Sequence, residues 1–515
     1  PSRDRCSRRY LRVLESQFVQ FDITLPRPSD TNVFKIFAKR LENMLIAAGI
    51  DVEHWDKDRW TIICHEFLRH TLKTPRQAVR LSNTLSVTFP AVAGEINPVD
   101  YIGIEALRVS FPSIYDAIRT HPEKFSGIRH GLEQNRDREW QFYDALLFGI
   151  DEPSREPVTR LLKLLFPRLD SIFGNMHYDT ERMTEWRNAS RVCSDRHFSL
   201  YFQYAVPLGH VTNSELGVAR QKAKEQSKFE EIVLSYASQI DEGGSSRLPE
   251  FLDRFLDILK NGNFEPSDLE NVIKALLAVG DHVDRPEDEP RGMWGIVDTP
   301  LRMLWVISTA LERIPRNARF PLLQEALSGS DSLNLCVRVV VSLGYDHGKY
   351  TSEKSGYLVA EEQCKISRSE FDQCEALLRE KINQAADQGT LLQHQHLGQI
   401  LSYWYFLNED GIGGRDEACQ WAKCVTKDDT GLKTFLIGLS GKAKSSSGDG
   451  IVREQIFVRP SEVDRYIDID HTYERVNALL SGNLLDGSAV EPLNAFKLAV
   501  EAVRRGESED RWWRG

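Results

Sequence analysis

Long apolar runs are missing from this 515-residue sequence. No stretch approaches the roughly 20 residues needed to span a bilayer. The richest ones, Met303–Ile307 and Val337–Leu343, suit helices of a protein core. The opening residues, Pro1-Ser-Arg-Asp-Arg-Cys6, are basic and polar and do not read as a signal peptide. Cysteine is sparse: there are eight, with no CxxC pair, and the nearest two are Cys419 and Cys424. That pattern disfavours a disulfide scaffold and a four-cysteine zinc site, and it points to buried thiols in a reducing, cytoplasmic compartment. An excess of positive charge is lacking too. Lys and Arg number 65 against 76 Asp and Glu, for a formal net charge of −11, which disfavours sequence-blind nucleic-acid binding. Neither GxSxG nor HExxH occurs, and no repeat of fixed period is found.

What is present is an ordinary globular balance, 41% hydrophobic and 27% charged, with length for about three domains. A basic helix is expected to end within residues 3–16. Val19, Phe21, Ile23 and Leu25 alternate with polar residues and predict a strand, stopped by Pro26 and Pro28. Ser29 or Asp30 then caps a helix whose apolar stripe is Phe34, Phe37, Ala38, Leu41, Leu45 and Ala48. Thr74-Pro75 and Asn97-Pro98 are helix starts, each a capping side chain followed by Pro in the first turn. Tyr201–Val206 is a weak strand candidate. Further helices are predicted over 248–260, 266–282, 298–313, 368–387, 390–407, 414–425 and 490–505, with a short strand over Ile456–Val458. Linkers fall at 241–247, 284–292 and 440–450, where Gly, Pro, Ser and charged residues cluster. Successive helix pairs in the second half are expected to stack as a solenoid, a topology that no sequence period supports.

Three stretches carry a family resemblance. They are Val19-Gln-Phe-Asp-Ile-Thr-Leu-Pro-Arg-Pro28, then Thr74-Pro-Arg-Gln-Ala-Val-Arg-Leu81 with Phe89–Asp100 and Ile104–Val109, then Arg191–Phe198 with Tyr201–Pro207. Across residues 10–215 the chain resembles the carboxy-terminal part of bacterial KAP-family P-loop NTPases. The rest is similar to the helical tail of bacterial members. The resemblance implies a mainly α fold: residues 1–26 as the end of an α/β NTPase core, 27–220 as a helical lid with its extension, and 221–515 as a helical sensor and assembly module. It also implies an intact protein that hydrolyses ATP with Mg²⁺, acts in anti-phage defence, self-associates and engages a protein partner of the same system. The phosphate-gripping motif GxxxxGK[ST] is missing. Gly348-Lys349-Tyr350 and Gly441-Lys442-Ala443 lack the hydroxyl after Lys. In the family the motif lies upstream of the core strand, so this chain is expected to bind no nucleotide or metal alone and to hold no catalytic residue.

Among individual residues, Arg76 is the first candidate. Thr74 caps the helix, so Arg76 sits at its positive end, where a cation costs roughly 0.3–1 kcal/mol unless an anion lies nearby. Unpaired N–H groups and a guanidinium suit a phosphate, and by resemblance Arg76 is a sensor of the terminal phosphate. Arg80 lies one turn on, on the same face. The plain alternative is a solvated or surface-paired arginine. Leu146–Glu152 imitates a Walker B strand, yet the position favours a helix end and an acidic turn. Asn97, Asp100, Glu105 and Arg108 read as capping plus a surface ion pair. His394 and His396, two apart on an expected helix, point to different faces and do not share a metal. Arg3, Arg5, Arg8, Arg9 and Arg12 could touch nucleic acid, and Trp512-Trp513 could dock on a partner. Two other readings stand beside the NTPase lid. One is a non-catalytic helical scaffold that recruits protein partners. The other is a nucleic-acid sensor.

Overall fold

The computed structural model describes residues 28–50, 55–127, 136–169, 180–288, 297–350, 360–407, 414–446, 452–482 and 487–509. These residues are mainly helical. The strand expected over Val19–Leu25, and with it any remnant of an α/β core, lies outside them. So do Arg3–Arg12 and Trp512-Trp513. The chain forms two compact units, Pro1–Leu208 and Gly209–Gly515.

In the first unit the helices of eight residues or more are α1 (Asp30–Ala47), α2 (Pro75–Thr88), α3 (Pro98–Ser110), α4 (Pro112–Thr120), α5 (Arg136–Phe148), α6 (Glu152–Leu165) and α7 (Thr180–Asn188). Ser29 Oγ accepts from Asn32 N–H and starts α1, which buries Val33, Phe37, Leu41, Met44 and Leu45 on one face. That face meets α2 through Ala78, Leu81 and Leu85. Every residue of α3 from Val99 to Leu107 is buried, so it is the central helix of the unit. Between α1 and α2 the short helix Lys57–Ile62 runs into a π turn, Ile63–Leu68, which buries Ile63, Cys64, Phe67 and Leu68 beside α6. Tyr201–Val206 is not a strand. A 3₁₀ turn, Phe198–Phe202, winds there instead, and it aims the buried Tyr201 hydroxyl to donate to Ser190 C=O (2.7 Å) and accept from Asn97 N–H (2.9 Å).

The second unit holds α8 (Asn213–Lys222), α9 (Gln226–Ser238), α10 (Leu248–Asn261), α11 (Pro266–Val279), α12 (Thr299–Arg313), α13 (Arg316–Gly329), α14 (Leu333–Asp346), α15 (Arg368–Asp387), α16 (Leu397–Phe406), α17 (Gly414–Val425), α18 (Asp429–Gly438), α19 (Ile469–Ser481) and α20 (Gly487–Arg504). Alternate helices pack on one another: α9, α11, α13 and α15 make one row, and α10, α12, α14 and α16 a second. This is the stacking that helical solenoids use to extend one continuous core. Arginines stitch the second row. Arg302 of α12 pairs with Asp253 of α10. Arg338 of α14 pairs with Asp298, the N-cap of α12, and also donates to Gln399 of α16. After α18 the chain makes the only strands among the described residues, β1 (Gly441–Ser446) and β2 (Val452–Phe457). They are antiparallel, with Gly441 opposite Phe457. The stretch 440–450, expected as a linker, therefore supplies a strand: its composition suits a turn, but cross-strand pairing decides.

Candidate functional site

The capping predicted at Thr74 is present and fuller than expected. Thr74 Oγ1 accepts from Gln77 N–H (3.3 Å), and Gln77 Oε1 accepts from the N–H groups of Thr74 (2.9 Å) and Lys73 (3.0 Å). Ala78 N–H goes to Thr74 C=O (3.2 Å). Proline has no N–H, so this box leaves the Arg76 N–H as the donor open in the first turn. The row of free donors expected for a phosphate is reduced to one. Arg76 and Arg80 are exposed and without an ion pair among the described residues. Asp30, close by in sequence to the α1 cap, is taken by Lys73 at 2.8 Å.

The acids expected on the surface of α3 are buried instead, while Arg108 stays partly exposed. Asn97 does cap the helix, accepting from Val99 and Asp100 N–H. Asp100, fully buried, lies between Arg59 and Arg191 and also accepts from Val192 N–H (3.0 Å). Burial, then the neighbouring Arg191 charge, pull Arg59 down to about 10. Glu105 is likewise fully buried and takes the Arg108 guanidinium at 2.7 Å. Burial raises its pKa, against the opposing hydrogen bond from Arg108. The correction follows from α3 being enclosed on every side, which a stripe count on one helix does not reveal. Asp151 and Glu152 lie after the end of α5 at Phe148 and at the start of α6, the helix end and acidic turn that were expected.

His394 and His396 correct the sequence reading in a more useful way. The expected helix over 390–407 is interrupted: a 3₁₀ turn covers Leu391–Gln393 and α16 begins only at Leu397. The two imidazoles therefore do not diverge around a helix. Each takes an aspartate from the turn after α11: His394 Nε2 meets Asp281 Oδ2 at 3.0 Å, and His396 Nε2 meets Asp284 Oδ2. His394 Nδ1 accepts from His396 N–H (3.1 Å), so the network assigns the His394 proton to Nε2, donated to Asp281. No group of three or more His, Cys, Asp or Glu suited to a metal exists among the described residues. Cys419 and Cys424 both sit on α17, the first with its thiol directed to Arg465 C=O (3.2 Å).

Beside His396 the second unit has a half-open cavity of about 640 Å³, within the range of small-molecule sites. Its walls come from the end of α14, from α16, from the α18–β1 corner, and from residues 457–466. Tyr350 is its most constrained residue. The backbone there is left-handed (φ 62°), a conformation that costs a non-glycine residue of order 1–3 kcal/mol. Its neighbours hold it. The Tyr350 hydroxyl donates to the buried Glu375, Lys349 Nζ pairs with the same carboxylate at 2.7 Å, and the ring lies against Gly344 where a Cβ would meet it at 2.5 Å. Tyr403 meets the Tyr350 ring edge-on at 6.0 Å. Sequence reasoning missed this cavity. Its aromatic walls on α16 fell in a stretch read only as a helix, and its glycine corner in one read as a linker.

No protein family, curated protein or solved structure matches this chain. Among the described residues no helix is long and apolar enough to cross a membrane.

Proposed function

We propose that this chain is the helical recognition and assembly portion of a nucleotide-driven switch of the KAP type, without catalysis of its own. The observation that carries the reading is the two-row stacking of α9 to α16. Stacked helix pairs expose long continuous faces, and such faces serve partner binding and self-association. In this reading the first unit is the lid of an ATP- and Mg²⁺-dependent core, and Arg76 and Arg80 face the terminal phosphate. Their exposure and lack of ion pairs among the described residues leave both guanidiniums available. The setting is anti-phage defence, as the resemblance implies. Lid closure and opening differ in free energy by what the ligand gains in one state over the other, and that difference is what the helical array passes to a partner.

The test is ATP turnover by the intact protein and its Arg76→Ala variant. A fall of at least about tenfold in kcat with an unchanged fold supports the lid. Equal turnover removes Arg76 from the site and leaves the scaffold reading, in which the same helical faces recruit protein partners without nucleotide. The nucleic-acid reading is disfavoured by the net charge of −11.

A further inference from the structure

We propose that the cavity beside His396 binds a planar aromatic anion of about the size of a nucleoside monophosphate. The inference rests on the cavity alone and stands whether or not the first unit is a nucleotide lid.

Charge comes first. The cations on the wall are Arg459 and Arg465, and the carboxylate on the wall is Glu462. Glu462 is engaged by Arg459 at 3.2 Å. Arg465 has no ion pair among the described residues; its guanidinium lies 5.9 Å from the Phe406 ring centroid. The wall therefore carries a net positive charge, and an exposed guanidinium without an ion pair among the described residues is open to an anion. His396 adds an acceptor, since an imidazole whose Nε2–H donates to a carboxylate presents Nδ1 to a ligand N–H or O–H. Its Nε2 is committed to Asp284, and its Nδ1 has no partner among the described residues. An imidazole oriented by a carboxylate on one nitrogen offers the other in a fixed direction.

Shape comes second. Tyr345, Tyr350, Tyr403, Phe406, Phe457 and Tyr466 line the same space, so it presents flat faces for a ring. Tyr350 is held there in a strained backbone by Glu375 and Lys349. Strain retained in a wall residue is what a pre-organised site shows, because the ring then loses little freedom when a ligand stacks on it. Gln399 and Ser402 supply neutral polar groups for the edge of a heteroaromatic ring. An apolar ring alone would leave Arg465 unanswered, and an anion alone would leave the aromatic faces wet.

The experiment is isothermal titration calorimetry on the full chain with three probes: AMP, adenosine and ribose 5-phosphate. The proposal requires AMP to bind at least about tenfold more tightly than either half-molecule. Two variants locate the site. Arg465→Ala removes an exposed cation, and Ser402→Trp fills the cavity. Each must weaken AMP at least about tenfold while circular dichroism and the thermal midpoint stay those of the parent chain. If Ser402→Trp fails to fold, Arg465→Ala alone decides. Absence of AMP binding up to about 1 mM, equal binding of ribose 5-phosphate, equal binding of adenosine, or undiminished affinity in Arg465→Ala overturns the proposal.

Discussion

Asp281 and His394 stand 113 positions apart in the sequence and meet at 3.0 Å. The same aspartate accepts the N–H groups of Asn334 (2.7 Å) and Leu335 (3.1 Å), the first turn of α14. Ser332, the N-cap residue by position, makes no capping bond there and instead accepts from Asp281 N–H (3.0 Å). One aspartate thus ties the turn after α11 to the start of α14 and to the turn before α16. It caps a helix from outside its own segment.

That arrangement gives the first prediction. Asp281→Ala strands two helix donors and the His394 ring together, and is expected to destabilise the second unit by about 2 kcal/mol. His394→Gln costs less, about 1 kcal/mol, because the backbone caps survive. The double variant is less destabilised than the sum of the two, since both act on one network. Urea denaturation followed by tryptophan fluorescence measures all three; strict additivity would show that the pair is not coupled.

Asp100 sets the second. Its removal leaves the Arg59 and Arg191 guanidiniums buried without their shared anion. Breaking a buried pair from one side typically costs about 3–5 kcal/mol, because the remaining charge has lost its solvent and its partner. Asp100→Ala is therefore expected to unfold the first unit well below the transition of the parent chain. Asp100→Asn keeps the shape but not the charge, and is expected to fall in between. Differential scanning calorimetry is the measurement, and an unchanged first transition for Asp100→Ala contradicts the expectation.

Gly431 is the third. It lies in the first turn of α18, where Ala is normally the better residue by about 1 kcal/mol. Here a Cβ would stand 1.8 Å from Val425 C=O, a backbone atom that cannot swing aside. The clash outweighs the propensity. Gly431→Ala is expected to destabilise by about 2–3 kcal/mol, read as a lower urea midpoint. Gly329→Ala, at the last residue of α13 where nothing lies within 4 Å of the added atom, is the control and is expected to be neutral or to stabilise by up to about 1 kcal/mol.

Acid sensitivity is the fourth. Glu417 and Glu250 both have pKa values below the usual carboxylate range. At Glu417 the Arg379 hydrogen bond leads. At Glu250 burial pushes upward, and the bonds from His210 and Val211 N–H outweigh it. A carboxyl held low in the fold binds fewer protons than in the unfolded chain. Its contribution is complete above the unfolded value and is lost as pH falls through the lowered one. The second unit is thus expected to weaken between about pH 5 and pH 3. Glu417→Gln should flatten that fall, by at most about 1 kcal/mol because solvent screens a side chain that is one-third exposed. Urea midpoints of both proteins across this range test it, and identical slopes would remove Glu417 from the account.

The sequence alone settled the local features. Ser29, Thr74 and Asn97 start helices because a side-chain oxygen reaches an N–H two or three residues on, and that geometry is complete within one turn. The apolar stripe of α1 was legible for the same reason: period 3.6 needs no partner to be seen. Tertiary structure decided what depends on neighbours far along the chain. Asp100 is buried because α3 is enclosed by other elements, and its partners Arg59 and Arg191 come from 41 positions before it and 91 after it. His394 and His396 became two His–Asp pairs only because the turn after α11 meets the turn before α16. The cavity depends on the same long-range packing, since a wall made by several elements exists only once they have met.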